Sequence, residues 1–302
     1  MATILVTGAG GFAARYVAAA LRSRGHRVVG LAHSDADDSV RASFEALETV
    51  DLRDLGGVQR AIAVLLPDAV VHLAAISHVA YSNASEIYQT NVIGTHNLLQ
   101  ALADVGPIAG PTAIVSSANV YGNRQGGALH EALTPRPQSD YAISKLAGEF
   151  IGDVFASRVR NFIVRPFNYT GIGQSRSFLI PKIVYHAQQG ARQIELGNVN
   201  VARDFSDVRF FAESLARLME LDLDGERVNI CSGRAYSISS VLDLVARLSG
   251  IRLEVATNPS LVRENEVERL WGDDTKLQSL IGLVEGPSLE ETLRWMLGSR
   301  VS

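Results

Sequence analysis

Two short stretches hold the residue types of a proton-transfer site: Ser116-Ser117-Ala118-Asn119-Val120-Tyr121-Gly122 and Tyr141-Ala142-Ile143-Ser144-Lys145. A tyrosine and a lysine at i and i+4 of a helix project from one face, so an ammonium lies beside a phenol and favours its ionised form. A free phenol titrates near pH ~10, too high for fast proton exchange at neutrality, and a fixed cation corrects this. Tyr141 is then the proton carrier, Lys145 the group that tunes it and Ser117 the group that orients the reacting oxygen. Tyr-x-x-x-Lys also arises by chance on amphipathic helices, so the pair gains meaning only from what surrounds it.

The N-terminus supplies that context. The apolar run at residues 3–6 leads at once into Thr7-Gly8-Ala9-Gly10-Gly11-Phe12-Ala13-Ala14 and an alanine-rich helical pattern. Strand, glycine turn and helix start in succession make a dinucleotide site, because glycine admits a pyrophosphate close to the backbone and the helix amides attract its charge. Short apolar runs predict strands at 2–7, 27–32, 46–50, 69–73, 112–116 and 161–165, with helices near 12–24, 55–65, 85–104 and 140–159 between them. Such alternation predicts an α/β fold, a doubly wound parallel sheet covered on both faces. In the helix from Asp140, Ile143, Leu146, Ala147, Phe150, Ile151, Val154 and Phe155 follow a 3.6-residue period, a stripe wide enough for the sheet and for a second subunit. After Arg165 the elements shorten and glycine and proline interrupt them, so a smaller lobe begins there. A helix near 207–222 and a strand at 227–231 return to the main sheet, which makes the division discontinuous: 1–165 plus about 205–233, and about 166–204 plus 234–302.

With 302 residues, 47% of them hydrophobic, the chain can bury one substantial core. A net charge of −4 with scattered arginines gives no basic footprint for nucleic acid. The single cysteine, Cys231, lies in the apolar run 227–231 and reads as a buried structural thiol. No apolar run reaches the ~18–20 residues of a membrane span, and the first strand begins too early for a signal peptide, so a cytoplasmic protein without a membrane partner is expected. His33, His78, His130 and His186 lack metal-ligand spacing, and no metal is expected.

Taken in order, Thr7-Gly8-x-x-Gly11-Phe12, Asp51-Leu52, His72-Leu73-Ala74-Ala75, Thr90-Asn91-Val92-x-Gly94-Thr95, the Ser116–Gly122 stretch, Tyr141/Lys145 and Arg165-Pro166-Phe167-Asn168 resemble the extended short-chain dehydrogenase/reductase family, which reduces, epimerises or dehydrates nucleotide sugars. The resemblance covers essentially the whole chain and implies a Rossmann domain for the nicotinamide cofactor and a nucleotide-sugar lobe. It implies Ser117, Tyr141 and Lys145 as the catalytic residues, with Lys145 also on the nicotinamide ribose and Asn91 supporting the lysine through water. The implied cofactor site comprises Thr7, Gly8, Gly11, Phe12, Ala13, His33, Ser34, Asp51, Leu52, Leu73, Ala74, Ala75, Asn91, Ser116, Tyr141, Lys145 and Pro166. A homodimer through the helices near 85–104 and 140–159 is expected from the family.

Within the family the match is to the reductases of GDP-4-keto-6-deoxy-mannose. It rests on Arg165–Gln174, Arg203-Asp204-Phe205-Ser206-Asp207-Val208, Asn229–Gly233, and Arg263 with Glu266. Ser117, Asn119 and Asn168 can hydrogen-bond the substrate, Arg203 and Arg263 can clamp phosphate through a planar fork, and Glu266 can accept from a ribose diol. The family's dehydratases place an acidic residue one or two positions after the catalytic hydroxyl residue. Ala118 and Asn119 stand there, and neither exchanges a proton at neutral pH, which disfavours elimination. The expected reaction is reduction of the C4 ketone of a 4-keto-6-deoxy sugar nucleotide, with a hexose or a heptose, in surface polysaccharide or deoxysugar biosynthesis. A 4-epimerase and a catalytically inactive dinucleotide sensor are the alternatives. Ala14 replaces the third glycine of the fingerprint and adds one methyl group. The end of the second strand, Ala32-His33-Ser34, has no acid until Asp35; a 2′-phosphate is not repelled there, so NADPH is preferred with NADH possible.

Overall fold

The computed structural model describes residues 1–77, 83–124, 127–259 and 268–299. Its strands are β1 (Thr3–Thr7), β2 (Arg27–Ala32), β3 (Ala46–Thr49), β4 (Ala69–His72), β5 (Thr112–Val115), β6 (Asn161–Pro166), β7 (Asn168–Thr170), β8 (Gln193–Leu196), β9 (Ala202–Arg203), β10 (Phe205–Asp207), β11 (Arg227–Ile230), β12 (Tyr236–Ser237), β13 (Glu254–Thr257) and β14 (Arg269–Leu270). The helices are α1 (Ala14–Ser23), α2 (Asp38–Arg41), α3 (Leu55–Leu65), α4 (Ala84–Tyr88), α5 (Gly94–Val105), α6 (Asp140–Phe155), α7 (Leu179–Gln188), α8 (Val208–Leu218), α9 (Ile238–Ser249), α10 (Thr275–Ile281) and α11 (Leu289–Gly298).

Seven strands form one parallel sheet in the order β11-β6-β5-β4-β1-β2-β3. Alternate residues of each strand enter opposite cores. In β1, Ile4 and Val6 pack with α1 and α8, whereas Leu5 packs with α3 and α5. Side chains buried on both faces explain why these strands read as continuous apolar runs. The strand order reverses between β1 and β4, and that crevice is where open α/β sheets bind ligands. The stretch from α4 to α5 was expected as one helix; five residues with π-helical bonding, Gln89–Ile93, interrupt it. Such a turn inserts extra length and re-aims a side chain, here Asn91.

Helix α6 carries Tyr141 and Lys145 along the sheet. It comes close because Gly152 has no side chain: a Cβ there would lie 2.7 Å from Asn161 Oδ1 and 2.9 Å from Ile114 Cδ1. Asn161 donates to the Gly152 carbonyl at 2.9 Å. The helix start is fixed by Ser139, whose hydroxyl accepts from the Ala142 amide at 3.2 Å. A separate core joins α7, α9, α11, β8 and β13, built on residues such as Ile183, Ile194, Val241 and Leu293.

Candidate active site

The glycine turn stands at the carboxyl end of β1, beside the crevice. Gly8 has φ +70°, and a Cβ on it would lie 2.8 Å from Ala74 Cα, so the loop after β4 closes directly on it. No side chain caps α1, which leaves its first turn open to an anion. An uncapped helix start, a left-handed glycine and the crevice at β1 and β4 suit a dinucleotide pyrophosphate. Phe12 stacks on Tyr169, Ala13 is buried, and Leu73, Ala74 and Ala75 line the loop that follows β4.

Thr7 is buried below this turn and belongs to a chain of hydrogen bonds. Ala74 N donates to Thr7 Oγ1, which lies 2.7 Å from His72 Nδ1; His72 Nε2 lies 2.8 Å from Thr95 Oγ1, and Thr95 donates to the Asn91 carbonyl at 2.6 Å. Thr95 spends its proton on Asn91, so His72 Nε2 is the donor and Nδ1 the acceptor from Thr7. The ring is neutral: burial, with a smaller contribution from the Lys145 charge, pushes its pKa down to about 3. Asn91 was expected to act on Lys145 through water. Its amide exchanges bonds with Ile76 at 2.8 and 3.1 Å and donates to Ser144 Oγ at 3.0 Å, which ties the loop after β4 to α6.

At the end of β2, His33 and Ser34 are exposed and Asp35 points into solvent. The end of β2 itself carries no acid before Asp35, but the neighbouring strand brings one to His33. Strand β3 runs beside β2 and leads to Asp51, whose Oδ2 lies 3.5 Å from His33 Nε2. The fork of Arg53 grips that carboxylate at 2.5–3.0 Å and, with its backbone amide, holds the Asp51 pKa down to about 2. Leu52 is buried against Gly94.

Ser117 follows β5 and is buried, as is Tyr141, with Lys145 one turn further along α6. The Ser117 hydroxyl stands near enough to the buried Tyr141 phenol to lower its pKa. Asn119, in the 3-10 turn that follows, donates to Ser117 Oγ through its amide side chain at 3.0 Å and its backbone at 3.2 Å, which fixes the serine rotamer. The sequence led us to expect a phenol made acidic by lysine. Here burial raises the Tyr141 pKa, and the nearby Ser117 only partly opposes it. Burial also pushes Lys145 down to about 8, with Glu149 acting in the other direction. Desolvation penalises either charge, so at neutrality the phenol keeps its proton while the ammonium is only modestly favoured. Ser116 was expected at the cofactor, but its hydroxyl turns inward and donates to Glu149 Oε1 at 2.6 Å. Pro166 is buried at the end of β6.

Across the crevice, Asn168 is exposed and donates to the Asp204 carbonyl at 3.1 Å, while Arg203 in β9 donates to the Ala202 carbonyl at 2.9 Å. Arg263 and Glu266 lie outside the described residues, as does His78. Asp204, unassigned from sequence, is fully buried; it accepts from Ser232 N and Oγ, Gly233 N and Gly272 N, and so gathers three loops behind Arg203. Tyr169 also went unassigned. It stacks between Phe12 and Phe211, and burial with the nearby Tyr141 raises its pKa. Among the described residues no group of three His, Cys, Asp or Glu could hold a metal, and no helix is long and apolar enough to cross a membrane. Cys231 is buried, and its thiol pKa is raised by desolvation.

The model of the GDP-mannose 4,6 dehydratase family matches residues 5–296. The chain belongs to that family. A GDP-6-deoxy-D-talose 4-dehydrogenase of Aggregatibacter actinomycetemcomitans is 34% identical over 280 residues, covering 92% of this chain and 91% of its own. A GDP-6-deoxy-D-mannose reductase of Pseudomonas aeruginosa is 33% identical over 308 residues, covering 97% and 95%. The solved structure of RMD from Pseudomonas aeruginosa, complexed with NADPH, superposes with a TM-score of 0.83 at 30% identity and covers 98% of both chains. Other solved relatives of the same fold hold NAD.

Proposed function

We propose that the chain reduces the C4 ketone of a nucleotide-activated 4-keto-6-deoxy sugar, with GDP-4-keto-6-deoxy-mannose or its heptose analogue as substrate. The observation that carries this reading is a buried Tyr141 near the buried Ser117 and one helical turn before Lys145, with burial holding the phenol above its ordinary pKa. A phenol that burial keeps protonated is an acid, and a ketone being reduced needs an acid at its oxygen. Bound NADPH supplies the hydride. Tyr141 gives its proton to the oxygen as it becomes an alkoxide, Ser117 donates to the same oxygen, and the Lys145 ammonium stabilises the phenolate left behind. Asn119 holds Ser117 in place throughout.

Elimination would need a further acid next to Ser117, where Ala118 is buried and Asn119 is an amide. The relatives' names agree with redox chemistry on GDP-6-deoxy sugars, one as a 4-dehydrogenase and one as a reductase. NADPH is the cofactor of choice because Arg53 offsets the Asp51 charge beside His33, and a relative holds NADPH. The exposed Ile93, with Ile143, Phe150 and Val154 on one side of α6, gives the expected homodimer an apolar face.

Cofactor-stripped protein mixed with NADPH and GDP-4-keto-6-deoxy-mannose should consume the reduced nicotinamide, with NADH and a dTDP-keto sugar as parallel controls. Tyr141→Phe should lower kcat by about 10²-fold or more while leaving NADPH affinity nearly intact. Ordinary turnover by that variant would refute the assignment.

A further inference from the structure

Glu149 is 1% exposed, and no step of the reaction above employs it. Its Oε1 accepts from Ser116 Oγ at 2.6 Å and from Arg165 Nε at 2.9 Å; its Oε2 accepts from Arg165 Nη2 at 2.6 Å, and Arg227 Nε stands 3.6 Å away. A carboxylate that served only to neutralise Arg165 would be satisfied by the two-pronged fork. The additional bond falls on the residue adjoining the catalytic serine. Lys145 lies one helical turn before Glu149, so the two project from the same face of α6.

We propose that Glu149 is a positioning residue for the reaction: through Ser116 it fixes the end of β5 so that Ser117 meets Tyr141, and along α6 it is the counter-charge of Lys145. The proposal rests on the roles given above to Ser117, Tyr141 and Lys145. The charged and titratable groups around Lys145 form a short set. Tyr141 and Glu149 flank it on α6, and neutral His72 faces it from β4. Arg165 of β6 and Arg227 of β11 lie beyond Glu149, and Asp153 takes the other side of Arg227 at 2.6 Å. Tyr121 and Glu131 lie on the far side of Arg165. Burial pulls the Lys145 pKa down to about 8, and the Glu149 charge opposes it. In Glu149→Gln, Arg165 and Arg227 lose their shared anion and Lys145 loses its counter-charge, so both changes drive the ammonium to give up its proton at lower pH.

The test reads Lys145 directly. The chain has three lysines, Lys145, Lys182 and Lys276, so reaction with an amine-selective reagent across a pH series, followed by peptide mass spectrometry, gives each its own titration. The midpoint for Lys145 should fall by about one unit in Glu149→Gln, while Lys182 and Lys276 stay where they are. The alkaline fall in NADPH-dependent turnover should move by the same amount. Ser116→Ala retains the ion pair and should leave the Lys145 midpoint unchanged while lowering kcat about tenfold at similar KM. A folded Glu149→Gln protein with an unmoved midpoint overturns the counter-charge role. If that variant does not fold, Ser116→Ala decides, since wild-type kcat there overturns the positioning role. The lysine titration needs neither cofactor nor sugar, so a wrong substrate assignment shows itself separately, as wild-type protein that consumes no NADPH with GDP-4-keto-6-deoxy-mannose.

Discussion

Two buried polar clusters lie at the carboxyl ends of neighbouring strands and are held by different forces. At the end of β4, Thr7, His72, Thr95 and Asn91 pass hydrogen bonds head to tail, and no member is charged. At the ends of β5 and β6, Ser116, Glu149, Arg165 and Arg227 are bound through charge, and Tyr121 extends the set by donating to Asn229 at 2.8 Å. Lys145 sits between them and senses both: its charge disfavours protonation of His72, and Glu149 favours its own. The neutral chain fixes where protons are. The ionic set fixes where charge is, and it favours the charge on Lys145.

The sharpest way to break the contrast is to remove one member of the ionic set. Arg165→Met leaves Glu149 buried with only the more distant Arg227, and should cost about 3–5 kcal/mol in urea unfolding. Acid tests the neutral cluster. The His72 pKa is about 3 in the folded chain against ~6.5 unfolded, so its contribution is complete above ~6.5 and is lost as pH falls toward 3. Between pH 7 and pH 5 this should remove about 2 kcal/mol, and His72→Gln should flatten that part of the profile. The smallest change is Thr95→Val, which keeps shape but deprives His72 Nε2 of its acceptor. A loss of about 1 kcal/mol is expected, and a loss as large as that of Arg165→Met would erase the distinction between the clusters.

The sequence made the sheet and the Tyr141/Lys145 pairing legible because their signals are local. Strands β1 to β6 fall within about a residue of the apolar runs, and Tyr141 and Lys145 share a helix face by spacing alone. What it concealed depends on which strands are neighbours. Glu149 reads as one polar residue in an apolar stripe, and only the β5–β6 pairing brings Ser116 and Arg165 to it. Asp51 is separated from His33 by 18 positions, and the β2–β3 pairing sets it beside the histidine. The direction of the Tyr141 shift was misjudged for a related reason: spacing reports the lysine, but burial, which dominates, is a property of the assembled core. The π-helical turn at Gln89–Ile93 has no compositional signature, although Asn91 lies within it.

Gly152 lies eleven residues after Tyr141, about 16 Å along the helix axis. It touches no reacting group, yet its missing side chain sets the height of α6 over β5 and β6. The helix behaves as a rigid beam resting on that point, and a methyl group there would be felt at the other end as a lift of both Tyr141 and Lys145. Alignment between the phenol and the serine hydroxyl is therefore calibrated by an atom that is absent, well away from both groups.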